Sequence, residues 1–147
     1  MPKVEKILFP IDFAEKYEKF LPWVSTFVEK FGATLYLVFI AQDLSEYTSF
    51  YVPHASIQGF QEETLAAAKK KMAGAVQELS GKFPKLETRV AVGSPAKMVL
   101  EIAANEKIDL IIMGAHGRHG LERTIFGSVA DKIVQAAPCP VVTVRPE

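Results

Sequence analysis

A chain of 147 residues lies in the size range of one domain, and its 49% hydrophobic and 23% charged side chains suit a globular protein that folds without disulfide or metal staples. Seventeen basic and seventeen acidic side chains cancel. No global field draws the chain to nucleic acid or an anionic membrane, and any anion site is local. The single cysteine, Cys139, excludes an internal disulfide, and no Cys/His cluster has metal-ligand spacing, so a reducing, cytoplasmic location is expected.

In chain order, Lys6 to Ile11 is a short apolar run closed by Pro10 and Asp12, too brief for a signal-peptide core, and it reads as a buried strand. Tyr17, Phe20, Leu21, Val24, Phe27, Val28 and Phe31 then follow the helix period, with Asp12 and Glu15 as a capping pair at the start. Pro22 inside that helix would cost about 3 kcal/mol, which predicts a kink or a helix proper beginning near Leu21. Gly32 supplies the stop. Thr34 to Ile40 reads as the second strand.

Asp43 to Phe60 has no clear period and is aromatic through Tyr47, Phe50, Tyr51 and Phe60. It reads either as a flap over a ligand or partner or as a connector with a short helix. The second helix carries Leu65, Ala68, Met72, Val76 and Leu79 inward and turns Lys69 to Lys71 to water. After the third strand, Glu87 to Val92, Ser94 and Pro95 announce a third helix, with Met98, Val99 and Ile102 inward. Asp109 to Met113 is the fourth strand. The last helix begins near Ser128 and is expected to bury Val129, Ile133 and Val134 before the fifth strand, Val141 to Val144.

Several of these strands are apolar at consecutive positions, as strands covered on both faces are, and strands alternate with helices. The fold class expected is doubly wound α/β, a parallel five-stranded sheet with helices on both faces. In such folds ligands sit beyond the carboxyl ends of the strands where the winding reverses.

The segment that carries chemistry leaves the fourth strand as Met113-Gly114-Ala115-His116-Gly117-Arg118-His119-Gly120 and ends in Gly127-Ser128 at a helix start. Glycines at 114, 117, 120 and 127 let backbone N–H groups approach one anion. Ser128 adds a hydroxyl, and the helix N-terminus adds unpaired donors and partial positive charge. The P-loop signature is absent, as is GxGxxG after the first strand.

At these positions the chain resembles the nucleotide-binding members of the universal stress protein family, which carry Gly, two residues, Gly, nine residues, Gly and then Ser or Thr. Gly114, Gly117, Gly127 and Ser128 satisfy that pattern. Ile7 to Asp12, Val92 to Pro95, Asp109 to Gly114 and Pro138 to Val142 extend the likeness over nearly the whole chain.

The resemblance implies sheet order 3-2-1-4-5 and a site for ATP, ADP or AMP. Pro10, Ile11, Asp12 and Ile40 would lie at the adenine and ribose; Gly114, Gly117, Gly127, Ser128 and Val129 would surround the phosphates. Met113 stands with them at the start of the loop. Ile11 and Phe39-Ile40 depart from the family's usual residues, which implies a tighter or shifted adenine pocket. His116, Arg118, His119 and Arg123 are candidates to offset phosphate charge or to be solvated loop side chains. A triphosphate would bring Mg²⁺ held mostly by its own oxygens and water. In the family the fifth strand commonly pairs with its copy, which implies a homodimer through Val141 to Val144.

No residue set specifies a nucleophile with its base or a positioned arginine, so binding rather than turnover is expected, with slow hydrolysis left open. Two alternatives stand beside a nucleotide-binding regulator. One is an adenylyl-transfer or pyrophosphatase enzyme, whose HxGH or SGGxDS motif is missing from Pro10-Ile11-Asp12-Phe13. The other is an interaction module of the same family that binds no nucleotide.

Overall fold

The computed structural model describes residues 1–12, 16–42, 54–114 and 128–145, with the backbone alone at 42, 54–57 and 128. Strand β1 (Lys6–Pro10) has Ile-Leu-Phe at its middle, and all three side chains are buried. Successive side chains of a strand point to opposite faces, so both faces of β1 must be covered. They are, because β1 is the middle strand of five.

On one side β1 pairs with β2 (Thr34–Gln42), from Lys6↔Thr34 to Pro10↔Val38, and β2 pairs with β3 (Leu86–Gly93). On the other it meets β4 (Leu110–Gly114) through Ile7↔Leu110 and Leu8↔Ile111, and β4 pairs with β5 (Val141–Val144). Every pairing is parallel and the order is β3-β2-β1-β4-β5, as the family resemblance implies.

Two apolar layers follow from the alternation. Ile7, Phe9, Leu35, Leu37 and Ile112 pack against α1 (Leu21–Phe31) and α2 (His54–Leu79). Leu8, Tyr36, Val38, Ile111 and Met113 pack on the opposite face against α3 (Pro95–Asn105) and α4 (Ser128–Ala136).

The entry to α1 is a 3-10 turn, Tyr17–Phe20, and the α-helix proper starts at Leu21 with Pro22 in its first two positions. No intrahelical N–H is required there, so the proline is not a defect. The helix ends at Gly32, whose φ of 62° is the left-handed conformation that lets the chain turn into β2. The core stripe is Leu21, Val24 and Val28. Phe31, which follows the helix period in the sequence, stays 49% exposed, and Trp23 is 52% exposed. Glu15 of the expected capping pair lies outside the described residues.

Residues 43–53 of the aperiodic stretch also lie outside the described residues, but His54 to Phe60 opens α2 rather than a separate short helix. At 26 residues, α2 measures about 39 Å by the helical rise. The nine residues of β2 reach only about 30 Å. Turns that overhang the sheet need no core-facing period, and Phe60 is accordingly exposed. The expected inner face holds at Ala68, Met72 and Leu79, joined by Ala75, with Leu65 and Val76 half-buried.

Ser94 stands extended at the N-cap of α3 with Pro95 following, but its hydroxyl makes no capping bond. Ala96, Val99 and Ala103 are the buried residues of α3, with Met98 and Ile102 at the margin. The expectation for α4 requires correction. Ala130 and Ile133 are buried, whereas Val129 and Val134 are 37% and 44% exposed. The helix is narrow at its contact with the sheet, and positions 130 and 133 take that stripe, which leaves the flanking valines on its two sides.

At the other end of the sheet the Asp109 carboxylate accepts from the backbone N–H groups of Glu5 (2.9 Å) and Lys6 (3.0 Å). Lys6 Nζ donates to the Glu106 carbonyl at 2.8 Å. Arg89 reaches the Glu106 carboxylate through Nε at 3.0 Å and lies over the Tyr36 ring, 5.3 Å from its centre. These contacts pin the amino-terminal end of the sheet, so the strands' carboxyl ends project from a fixed base.

Candidate functional site

The chain winds from β1 through β2 to β3 with α1 and α2 on one face, then returns across β1 to β4 and β5 with α3 and α4 on the other. The reversal falls between β1 and β4. In folds of this kind the connections leaving two such neighbouring strands go to opposite faces, and ligands bind in the crevice at the carboxyl ends. Pro10, Ile11 and Asp12 leave β1 on one lip; Met113 and Gly114 leave β4 on the other. Helix α4 begins at Ser128, so the segment that departs from Gly114 returns as the start of that helix.

The side chains near this crevice divide sharply. Ile11 is buried in the layer under α1, and its N–H donates to the Val38 carbonyl at 2.8 Å, so it continues the pairing of β1 for one more residue. Ile40 and Met113 are buried in the opposite layer. Phe39 is half-buried against the α1 side. These four therefore serve the core, and it is Asp12, half-exposed, and Val129, exposed on the first turn of α4, that stand at the surface. His116, Gly117, Arg118, His119 and Gly127 lie outside the described residues, as do Arg123 and the side chain of Ser128.

Two features escaped sequence reasoning. Strand β2 does not end at Ile40 but runs on through Ala41 and Gln42, paired with Val92 and Gly93, so the lip of that strand is Gln42. Ala41 and Gln42 have no strong strand preference, and only the pairing with β3 reveals them as strand. The second feature is at Gly114: a Cβ there would sit 3.0 Å from the Phe20 ring. Phe20, in the 3-10 turn before α1, also meets Phe9 edge to face, with ring centres 6.3 Å apart. The glycine is thus favoured by packing alone, and nothing in the local sequence of Gly114 announces a ring from 94 residues away.

No charged or polar side chain among the described residues is buried, and none of them form a group of three His, Cys, Asp or Glu able to hold a metal ion. The first turn of α4 carries backbone N–H groups without an intrahelical acceptor, a set that suits an anion. An open groove of about 540 Å³ between α3 and α4, lined by Ser94, Lys97, Leu100, Lys132 and Gln135 among others, lies to one side. It is formed by outward helix faces and receives no strand end.

Residues 3–145 match the sequence profile of the Universal stress protein family. The chain belongs to that family. Universal stress protein A homolog 2 from Coxiella burnetii is 34% identical over 113 residues, 77% of this chain and 75% of that protein. Universal stress protein MJ0577 from Methanocaldococcus jannaschii is 28% identical over 153 residues, 96% of this chain and 94% of that protein. The solved structure of MJ0577 superposes with a TM-score of 0.81 and 26% identity over 99% of each chain. A universal stress protein from Archaeoglobus fulgidus, solved in complex with dAMP, shares the fold at a TM-score of 0.67 and 19% identity over 96% of this chain and 98% of that one. Within this universal stress fold no described helix is long and apolar enough to cross a membrane.

Proposed function

We propose that this chain is an adenine-nucleotide-binding regulatory protein of the stress-response type, one domain over residues 1–147 working in the cytoplasm. The observation that carries the reading is the reversal point itself. The segment with glycines at 114, 117 and 127 leaves β4 there and closes at the start of α4, where free N–H groups and the helix dipole favour phosphate. Gly114, Gly117, Gly127, Ser128 and Val129 surround the phosphates in this reading, with His116, Arg118 and His119 near the charge. Pro10 to Asp12 and Phe39-Ile40 border the adenosine, the buried ones through their backbone, and Met113 stands at the start of the phosphate loop. The dAMP complex of the Archaeoglobus fulgidus relative supports an adenine nucleotide as the ligand class.

ATP, ADP or AMP is the ligand proposed, and a triphosphate would bring Mg²⁺ held mostly by its own oxygens and water. Binding is the activity assigned, and no turnover is assigned. The fifth strand, Val141–Val144, is proposed to pair with its copy in a homodimer.

Thermal unfolding with and without ATP and Mg²⁺ tests the site. Ligand at about 100 times its dissociation constant adds roughly 2.7 kcal/mol to the native state. A rise in Tm that disappears in Gly127→Val supports the reading; an unchanged Tm for the native chain at millimolar ATP overturns it.

A further inference from the structure

We infer that the aromatic stripe Trp23, Phe27 and Phe31 on α1, together with Val134 on α4, flanks the free edge of β5 as two side-chain layers that a second copy of this chain covers. The inference rests on the strand-paired dimer proposed above and assigns it an interface that strand pairing alone does not supply.

Residues four apart share a helix flank, so Trp23, Phe27 and Phe31 form one row. Trp23 and Phe31 are half-exposed, and the rings of Phe27 and Phe31 stack with centres 6.4 Å apart. The direction of the row follows from handedness. With Leu21, Val24 and Val28 on the sheet and a right-handed crossover from β1 to β2, a right-handed helix turns positions 23, 27 and 31 towards β4 and β5. Ser25 and Glu29 then lie on the α2 side. Phe27 and Val142 of β5 accordingly pack against the same core layer.

The same construction on the opposite face gives the same destination. In α4, Ala130 and Ile133 meet the sheet, while Lys132 and Ala136 border the groove towards α3. Val134 is left on the flank that looks outward past β5. Both helical layers therefore expose apolar side chains beside one edge strand, whose Val141, Val142 and Thr143 are themselves only half-buried.

The occupant that fits is a second copy. Antiparallel pairing of β5 with its own copy places a two-fold axis perpendicular to the sheet, so each face continues across the seam. The α1 row then faces its counterpart on one side, and Val134 faces its counterpart on the other. A four-residue strand offers only about 13 Å of edge, and a ladder that short buries little of the roughly 800 Å² per partner of a stable interface. Two apolar layers supply area that the ladder lacks. An unrelated extended peptide would satisfy the backbone of β5 and leave both layers in water.

Trp23 is the only tryptophan, so its emission reports on this surface directly. The full chain is diluted from high micromolar to low nanomolar concentration, with sedimentation and fluorescence followed together. The expected result is a red shift of the emission over the range in which the dimer dissociates. Phe31→Glu and Trp23→Arg should each weaken self-association at least tenfold while the far-ultraviolet circular dichroism stays native. A chain that sediments as a monomer throughout overturns the dimer and this interface with it. A dimer whose Trp23 emission is solvent-like at every concentration, and which survives Phe31→Glu unchanged, overturns the interface alone and leaves the strand pairing standing.

Discussion

The Phe20 ring lies against the backbone of Gly114, 3.0 Å from where a Cβ would stand. One residue of the proposed phosphate loop is thus held by a ring from the entry to α1. Both the neighbouring Phe9 ring and the rest of the layer fix Phe20 in place, so the ring has little room to retreat. Gly114→Ala should destabilise the native chain by about 1–3 kcal/mol, the usual cost of overpacking. In a Phe20→Leu background the same substitution should cost less, because the two positions share one contact. A double-mutant cycle by urea unfolding measures the difference; strict additivity would show that the glycine answers to something other than the ring.

Arg89 is the second place where one side chain joins distant elements. Burial works against its charge, but the carboxylates of Glu106 and Glu87 outweigh it and hold the guanidinium above its ordinary value. Its contact with Glu106 ties β3 to the end of α3, and the fork also covers Tyr36. Because both charged partners are about one-third exposed, Arg89→Met should cost only about 1 kcal/mol. Arg89→Lys should recover little of it, since an ammonium provides neither the fork nor the flat stack. Urea midpoints should fall with unchanged slope, and ATP affinity should not move, as the cluster lies at the opposite end of the sheet from the crevice.

Cys139 gives a pH dependence with a definite sign. Burial pushes its thiol up, and the negative charge of Asp109 adds to the effect. The folded chain therefore holds the thiol proton more tightly than the unfolded chain does. Its contribution to stability is complete below the ordinary thiol range and is lost as pH rises through the raised value. Alkylation at mildly alkaline pH should be slower for the native chain than for the same chain in urea. Replacement by Ala should remove this part of the alkaline loss of stability; equal alkylation rates in the two states would contradict the assignment.

The five strands were legible in the sequence because consecutive apolar residues at Ile7-Leu8-Phe9 and Leu110 to Met113 have few uses other than burial on both faces. Pro22 left two readings for α1, a kink or a start near Leu21, and the second is the one observed. What failed did so for a tertiary reason. Val129, Phe31 and Val134 obey the helix period as well as Ile133 does, and periodicity does not tell which part of a wide apolar stripe meets the sheet. At the crevice, the spacing of Gly114, Gly117, Gly127 and Ser128 suggests a ligand loop. It says nothing of Phe20, whose contact with Gly114 exists only after β4 has been laid beside β1.

Strand β1 is the innermost element, with Ile7, Leu8 and Phe9 sealed between the two layers. Its amide protons are expected to exchange only when the whole sheet unfolds, so that their exchange would report the free energy of that unfolding. Past its end at Pro10, the chain leads through Ile11 to Asp12, on the lip of the crevice. Any ligand bound there slows exchange at Ile7 to Phe9 by the factor through which it shifts the folding equilibrium. The centre of the sheet thus records occupancy of its rim without a single side chain having to move.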